Sequence, residues 1–162
     1  MQATGLSTVI PLFKTNKALF YKSLEGVSME HLRQRPNDKS NPMIWIAGHL
    51  VFSRTGLVHI IGGKVDEKPW NTLFRRGATI DDMLTYPESE EIVGQWKFVS
   101  DVLMDRLNEL TEGELDQSSS FNVPAGEQTV RGAVAFLHFH ETYHIGQLAY
   151  LRKLLGYSQL AG

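Results

Sequence analysis

The sequence contains no cysteine. This absence excludes disulfide bonds, thiolate metal ligands and a cysteine nucleophile. Any metal must therefore be bound through nitrogen or oxygen atoms. For the same reason, a reaction that needs a thiolate would have to take it from a small thiol cosubstrate.

Charge of one sign and long apolar runs are also scarce. A formal net charge of -2 offers no electrostatic footprint for nucleic acid or for an anionic membrane. The N-terminal residues lack the basic start and unbroken apolar stretch of a signal peptide, and we expect no membrane span because no unbroken apolar run approaches the ~18 residues that one needs. We therefore expect a cytoplasmic protein that binds neither nucleic acid nor membrane.

Four stretches of the chain have apolar residues at helical spacing, and no stretch of similar length alternates as a strand does. They run over residues 6–24, 42–61, 87–110 and 130–155, within a chain whose 162 residues suit one domain, 1–162. This pattern predicts an all-α fold, a four-helix bundle. The connections are long, above all residues 62–86, so crossover connections are allowed.

Capping residues set the predicted ends of these helices. Asn41 is the expected N-cap of the second helix, with Pro42 at its first position and Gly62 just after its end. Thr129 is the expected N-cap of the fourth helix, which we expect to stop at Gly156.

The predicted fourth helix contains His140-Glu141-Thr142-Tyr143-His144, which matches the H-E-x-x-H pattern of zinc peptidases. Histidines four residues apart leave the same helix face about 5 to 6 Å apart at Cβ, so both imidazoles can reach one metal. The alternative is a pair that is solvated or satisfied within the core, because this spacing is also common by chance.

A peptidase of this kind takes its third ligand from downstream of the motif. The residues after His144, IGQLAYLRKLLGYSQLAG, contain no His, Asp or Glu. The longer pattern H-E-x-x-H-x-x-G-x-x-H fails as well, since Gln147 and Tyr150 stand where it needs glycine and histidine. We therefore expect no endopeptidase activity, and we expect the third ligand from upstream.

His49 is the upstream histidine in the most suggestive position. It lies midway along the predicted second helix, in NPMIWIAGHLVFSR, where an imidazole among apolar neighbours needs a buried partner. A core histidine bonded to a carbonyl is the alternative. Since bundle cores are where facing helices build metal sites, we predict that His49, His140 and His144 bind one divalent metal. We assign no role to His31, His59 or His138.

The segments NPMIWIAGHLVFSR and TVRGAVAFLHFHETYHIGQLAYLRKLLG resemble the DinB-like superfamily of bacterial proteins. The resemblance implies a four-helix bundle with an unusual crossover, a divalent metal on His49, His140 and His144, and dimerisation. It also implies a small-molecule substrate. Some members of that superfamily are S-transferases that use low-molecular-weight thiols, and others are metal-dependent hydrolases or isomerases.

Four further residues lie close to the predicted ligands in sequence. Gln147 matches the glutamine that follows the last histidine in the DinB-like proteins that this sequence resembles. Its side chain either forms a hydrogen bond with an imidazole or a metal-bound water, or packs between helices. Trp45 and Tyr143 are candidate pocket walls, although such aromatics usually belong to the core. Glu141 projects about 100° from His140, toward solvent, a neighbouring helix or the rim of the site, and we expect a structural or supporting role for it.

Three classes of function remain open at this point. The protein is a metal-dependent transferase or hydrolase, a metal-binding bundle without turnover, or a bundle whose histidines are structural. Three imidazoles with open positions suit zinc or nickel first, and iron, cobalt or manganese as well. Thiol transfer has a small preference over hydrolysis, which derives only from the resemblance.

Overall fold

The computed structural model describes residues 4–78 and 86–160. Within these residues the regular structure is helical, apart from one isolated bridge between Ser118 and Thr129. After a short 3-10 turn at Thr4–Leu6, the chain forms α1 (Val9–Leu24), α2 (Met29–Arg33), α3 (Met43–Ile60), a 3-10 turn at Asn71–Phe74, α4 (Ser89–Glu109), α5 (Glu112–Leu115) and α6 (Val130–Leu154). The four long helices, α1, α3, α4 and α6, build a four-helix bundle, as predicted.

Most predicted helix ends are confirmed to within a few residues. Thr129 caps α6, its hydroxyl accepting a hydrogen bond from the Gly132 N–H at 3.1 Å. Gly62, with a φ of +78°, ends α3 in the left-handed conformation that favours glycine. The predicted start of α3 is wrong by one residue: Pro42 has an extended ψ of 160° and is itself the N-cap, so the helix begins at Met43.

The first helix begins later than the apolar pattern predicted. Helix α1 starts at Val9, which places Pro11 in the first turn, where backbone N–H groups have no partner inside the helix. The two short helices were not predicted. His31 lies in one of them, α2, whose N-cap Ser28 accepts a hydrogen bond from the His31 N–H through its side chain.

Two of the three connections between long helices cross the bundle diagonally. Helix α3 packs against α4 and α6, whereas α1 packs against α6 and less extensively against α4. The neighbours in sequence, α1 with α3 and α4 with α6, are therefore diagonal to each other. This arrangement brings α3 and α6 side by side along their lengths, although α4 separates them in sequence.

Helix α3 is the most buried of the four. Contrary to the expectation from sequence, Met43–Ile60 is long and apolar enough to cross a membrane by length and composition. In the fold, however, 78% of this segment is buried inside the protein. That burial is the property of the core helix of a soluble protein, and it explains the high apolar content of α3.

A layer of polar side chains crosses the core, with one residue from each long helix: Asn16, Arg54, Ser100 and Glu141. The Arg54 guanidinium donates from Nε and Nη2 to the two carboxylate oxygens of Glu141, each at 2.7 Å. Its Nη1 donates to Ser100 Oγ at 2.6 Å, and Asn16 Nδ2 donates to Glu141 Oε2 at 3.3 Å. Both charges of the pair are satisfied, as burial of charges requires.

The polar layer divides the apolar core into two clusters. Along α1, Phe13 belongs to one cluster and Phe20 to the other, with Asn16 between them. The other long helices also pass from one cluster to the other near their polar residue, which is Arg54 in α3, Ser100 in α4 and Glu141 in α6. The central carbon of the Arg54 guanidinium lies 3.7 Å from the centroid of the Trp96 ring, so the polar layer is also in contact with an aromatic side chain.

Candidate metal centre

The structure brings His49, His140 and His144 together between α3 and α6. The Nε2 atom of His140 lies 3.2 Å from Nε2 of His49 and 3.1 Å from Nε2 of His144. One ligand atom from each histidine lies within 4.8 Å of the others. For comparison, two nitrogens bound at ~2.1 Å to one tetrahedral metal are about 3.4 Å apart. These three residues can therefore hold a single metal ion.

Hydrogen bonds at Nδ1 orient two of the three rings. His49 Nδ1 lies 2.6 Å from the Phe74 carbonyl oxygen, and His144 Nδ1 lies 2.7 Å from Gln147 Oε1. Both oxygens only accept, so in the neutral rings Nδ1 carries the proton and the Nε2 lone pair is free. Metal-binding histidines are usually supported in this way. The carbonyl bond expected for a core histidine is present at His49, and it leaves Nε2 available.

The third ring makes the cluster difficult to satisfy without a cation. His140 Nδ1 is buried and has no hydrogen-bond partner among the described residues. His140 Nε2 can supply at most one proton to the two lone pairs that face it. In a neutral cluster, at least one of the two close Nε2 pairs therefore has no proton between its nitrogens, and two lone pairs face each other there. A divalent cation would satisfy all three lone pairs, so the donor set fits a metal.

Burial keeps these histidines neutral near pH 7. Burial lowers the pKa of His49, against the opposing effect of its bond to Phe74. Burial, with the positive charges of His144, His49 and Arg76, lowers the pKa of His140 to about 4. Burial and the charge of His49 also lower the pKa of His144 to about 4, although its bond to Gln147 acts in the opposite direction. Neutral imidazoles are the form that binds metals.

We predict that the metal-free protein loses stability as the pH falls from 6.5 toward 4. The pKa values of His140 and His144 are lower in the folded state, at about 4, than the ordinary value of 6.5. The unfolded chain therefore takes up protons first, and the stabilisation present above pH 6.5 is lost across this window. Thermal unfolding of a His140→Gln/His144→Gln double variant should show a shallower decline. Parallel curves for the two proteins would contradict this prediction.

Packing fixes the position of His49 and of the residue that supports it. The Trp45 ring stacks on the His49 imidazole, with centroids 4.9 Å apart and an interplanar angle of 10°. Gly48 allows Phe74 to approach α3, because a Cβ at this position would lie 2.4 Å from the Phe74 ring. Phe74 is fully buried there, which holds its carbonyl against His49.

The three histidines open into a cavity of about 730 Å³, a volume typical of small-molecule sites. Its described walls are mainly apolar and aromatic, and they include Trp45, Phe52, Phe121, Phe136, Leu137 and Tyr143. Tyr143 is 56% exposed, so it lies at the open side, and its hydroxyl is 3.3 Å from Gln147 Nε2. Trp45 and Tyr143 thus both line the cavity, and their role toward a substrate stays a prediction.

Glu141 lies outside the set of residues that line this cavity. Its carboxylate is 1% exposed and is bound by Arg54 in the polar layer of the core. A carboxylate held in this way is not free to act as a general base on a water in the cavity. No Asp or Glu stands among the described residues that line the cavity, in contrast to a peptidase site.

The other three histidines lie apart from this cluster. His138 packs edge-on against Phe13, with ring centroids 5.0 Å apart, and His59 Nδ1 lies 3.6 Å from Glu67 Oε1. His31 Nδ1 lies 2.7 Å from the hydroxyl of Tyr157.

Comparison with known proteins identifies relatives of this fold. The DinB superfamily model matches residues 12–148. The crystal structure of a DinB-like protein from Bacillus cereus ATCC 10987 superimposes with a TM-score of 0.69 at 18% sequence identity, covering 93% of this chain and 91% of that one. None of the curated proteins matches significantly.

YfiT from Bacillus subtilis is a second solved structure with this fold. It superimposes with a TM-score of 0.64 at 13% identity, covering 92% of this chain and 86% of that one. YfiT is described as a probable metal-dependent hydrolase with an unusual four-helix bundle topology. At these identities the likeness to both structures concerns the fold.

Proposed function

The chain belongs to the DinB superfamily, and we propose that it is an enzyme that uses one divalent transition metal to act on a small molecule. The proposed ligands are His49, His140 and His144, and zinc and nickel are the metals that we favour. YfiT, described as a probable metal-dependent hydrolase, supports metal dependence as a property of this fold.

One observation carries this proposal. The Nε2 atom of His140 lies 3.1 and 3.2 Å from the Nε2 atoms of the other two histidines. In those two rings the proton is held on Nδ1, by hydrogen bonds to Phe74 and Gln147. A group of core histidines with only structural roles would use both ring nitrogens for hydrogen bonds within the protein. Here the Nε2 atoms face one another and open into a cavity.

A metal held by three histidines with open positions supplies a nucleophile near neutral pH by acidifying a water or a thiol. The protein's own contribution is to position the histidine rings and to exclude water from the cavity. Phe74 and Gln147 fix the ring orientations, and Trp45 stacks on His49. The apolar walls would displace water from a bound substrate and strengthen electrostatic interactions inside the cavity.

Hydrolysis and thiol transfer are the two reactions that we consider. The description of YfiT favours hydrolysis. Thiol transfer rests on the resemblance alone, and a chain without cysteine would need a low-molecular-weight thiol as cosubstrate. We therefore place metal-dependent hydrolysis first and S-transfer second. A metal-binding bundle without turnover is the alternative outside enzymes.

The test begins with elemental analysis of protein purified without a metal-affinity tag. We expect about one divalent metal per chain. The loaded protein is then assayed with a panel of esters and amides, and with chlorodinitrobenzene or an epoxide, with and without bacillithiol, mycothiol or glutathione. Turnover that no thiol affects supports hydrolysis, and product that requires a thiol supports transfer. Metal without any turnover supports the binding bundle, and absence of metal contradicts the proposal.

We also propose that the protein is a cytoplasmic homodimer in which a second copy covers α6. Four large apolar side chains on this helix are 56–67% exposed, Phe139, Tyr143, Tyr150 and Leu154. Their spacing of four, seven and four residues places them on one helix face. Sedimentation equilibrium should give a dimer for the wild type and a monomer for Tyr150→Glu. A monomeric wild type would contradict this.

A further inference from the structure

Arg76 gives the cavity a positive charge beside the histidines. It is the one Asp, Glu, Lys or Arg side chain among the described residues that line the cavity. No hydrogen bond or ion pair engages its guanidinium among residues 4–78 and 86–160. An arginine in such a position is a ready donor for an anionic oxygen group, because its fork of N–H groups matches carboxylate and phosphate.

The position of Arg76 is coupled to that of the histidine cluster. It follows two residues after Phe74, whose carbonyl accepts the hydrogen bond from His49 Nδ1 at 2.6 Å and whose ring packs where Gly48 has no side chain. Gly77, with a φ of +76°, turns the chain immediately after Arg76 and also lines the cavity. The charge of Arg76 is close enough to contribute to the lowered pKa of His140.

The remaining walls determine what the rest of a ligand must be. Phe52, Phe121 and Phe136 line the cavity together with Trp45. The indole N–H of Trp45 is buried and has no hydrogen-bond partner within the described part of the chain, so the surface that Trp45 adds to this wall is aromatic. Apolar surface combined with the Arg76 guanidinium, and with no Asp or Glu among the described residues of the lining, favours a ligand with an apolar body and an oxyanion.

We propose that this cavity binds small molecules that carry an anionic oxygen group on an apolar or aromatic body, with Arg76 binding the anion beside the histidines. This names a substrate class, and it rests on the proposed function in taking the cavity as the substrate site. Arg76 is thus a specificity-determining residue, whatever bond the reaction breaks.

The test compares an acid with its neutral analogue. Binding of 4-fluorophenylacetate and of 4-fluorophenylacetamide is measured by ¹⁹F NMR titration to wild-type protein, both zinc-loaded and after removal of metal by chelation. The same titrations are made with Arg76→Gln. Arg75→Gln is the matched control, because Arg75 is an equally charged, exposed neighbour that does not line the cavity.

We expect the wild type and Arg75→Gln to prefer the acid by at least about tenfold, in keeping with a charge-assisted hydrogen bond. Arg76→Gln should lose this preference and bind the amide unchanged. Equal binding of acid and amide by the wild type, or no binding of the acid, would overturn the proposal. So would a preference that survives Arg76→Gln and disappears only on removal of zinc, since the metal would then be the anion site.

These outcomes separate the anion site from the metal site. A protein that binds neither zinc nor any other divalent metal would contradict the proposed function, yet the comparison of Arg76→Gln with Arg75→Gln in metal-free protein would still decide the role of Arg76. Conversely, a zinc-binding protein with no preference for the acid would retain the proposed function and lose the substrate class.

Discussion

Replacing His49, His140 or His144 by alanine is expected to weaken the binding of one divalent metal per chain by more than about a hundredfold. Loss of a group that only orients a metal ligand already weakens affinity by about 10- to 100-fold, and loss of the ligand itself removes a coordinate bond. Each of these rings places Nε2 within the same cluster, so none of the three can substitute for another.

Competition with a chelator of known affinity would measure this effect, with far-ultraviolet circular dichroism to verify that the variants remain helical. His59→Ala is the matched control, because His59 lies on the same helix as His49 but pairs with Glu67 outside the cluster. Metal affinity that is lost equally in His59→Ala, or retained in His144→Ala, would contradict the three-histidine site.

Glu141→Gln is expected to lower the free energy of unfolding by about 3 to 5 kcal/mol, the range for breaking a buried ion pair on one side. Arg54 is fully buried, and its guanidinium would lose the carboxylate that compensates its charge. The effect on metal affinity should be smaller than that of His140→Ala, because Glu141 is bound in the core layer and does not line the cavity.

Urea unfolding of Glu141→Gln, Arg54→Met and an Arg54→Met/Glu141→Leu double variant would test this. Since apolar replacement of a whole buried pair is often neutral, the double variant should recover most of the stability lost in either single variant. A change below about 1 kcal/mol in Glu141→Gln would show that the pair is not a major support of the fold.

We also expect no cleavage of casein by the wild type. Robust cleavage, abolished by Glu141→Gln with metal retained, would restore the peptidase interpretation.

The sequence predicted the long helices because their signals are local. Thr129 and Gly62 mark helix ends through hydrogen bonds and backbone conformations that involve only nearby residues. The register error at Pro42 arose because proline suits both the N-cap and the first helical position, and only its ψ distinguishes the two. The diagonal order of the helices has no such local signal, since long loops permit more than one arrangement.

The candidate site was predicted in part for the same reason. The three histidines stood out because their spacing and apolar neighbours are visible in the sequence. Their role as ligands remains a prediction. The support of His49 could not be found, because it is a backbone carbonyl 25 residues away that any residue could provide. Arg54 is the one Lys, Arg, Asp or Glu residue of α3, but its partner Glu141 lies 87 residues away on α6, so the pair has no local signal in the sequence.

The arrangement of α3 beside α6 has a consequence for folding in a chain that cannot form disulfides. A metal bound by His49 and His140 would join positions 91 residues apart, and so would act as a reversible cross-link. Closing a loop of roughly 100 residues in the unfolded chain corresponds to ~4.7 kcal/mol in the chain-entropy description of a disulfide. Unlike a disulfide, such a link would not be opened by thiol–disulfide exchange. It would instead open and close with the supply of free metal.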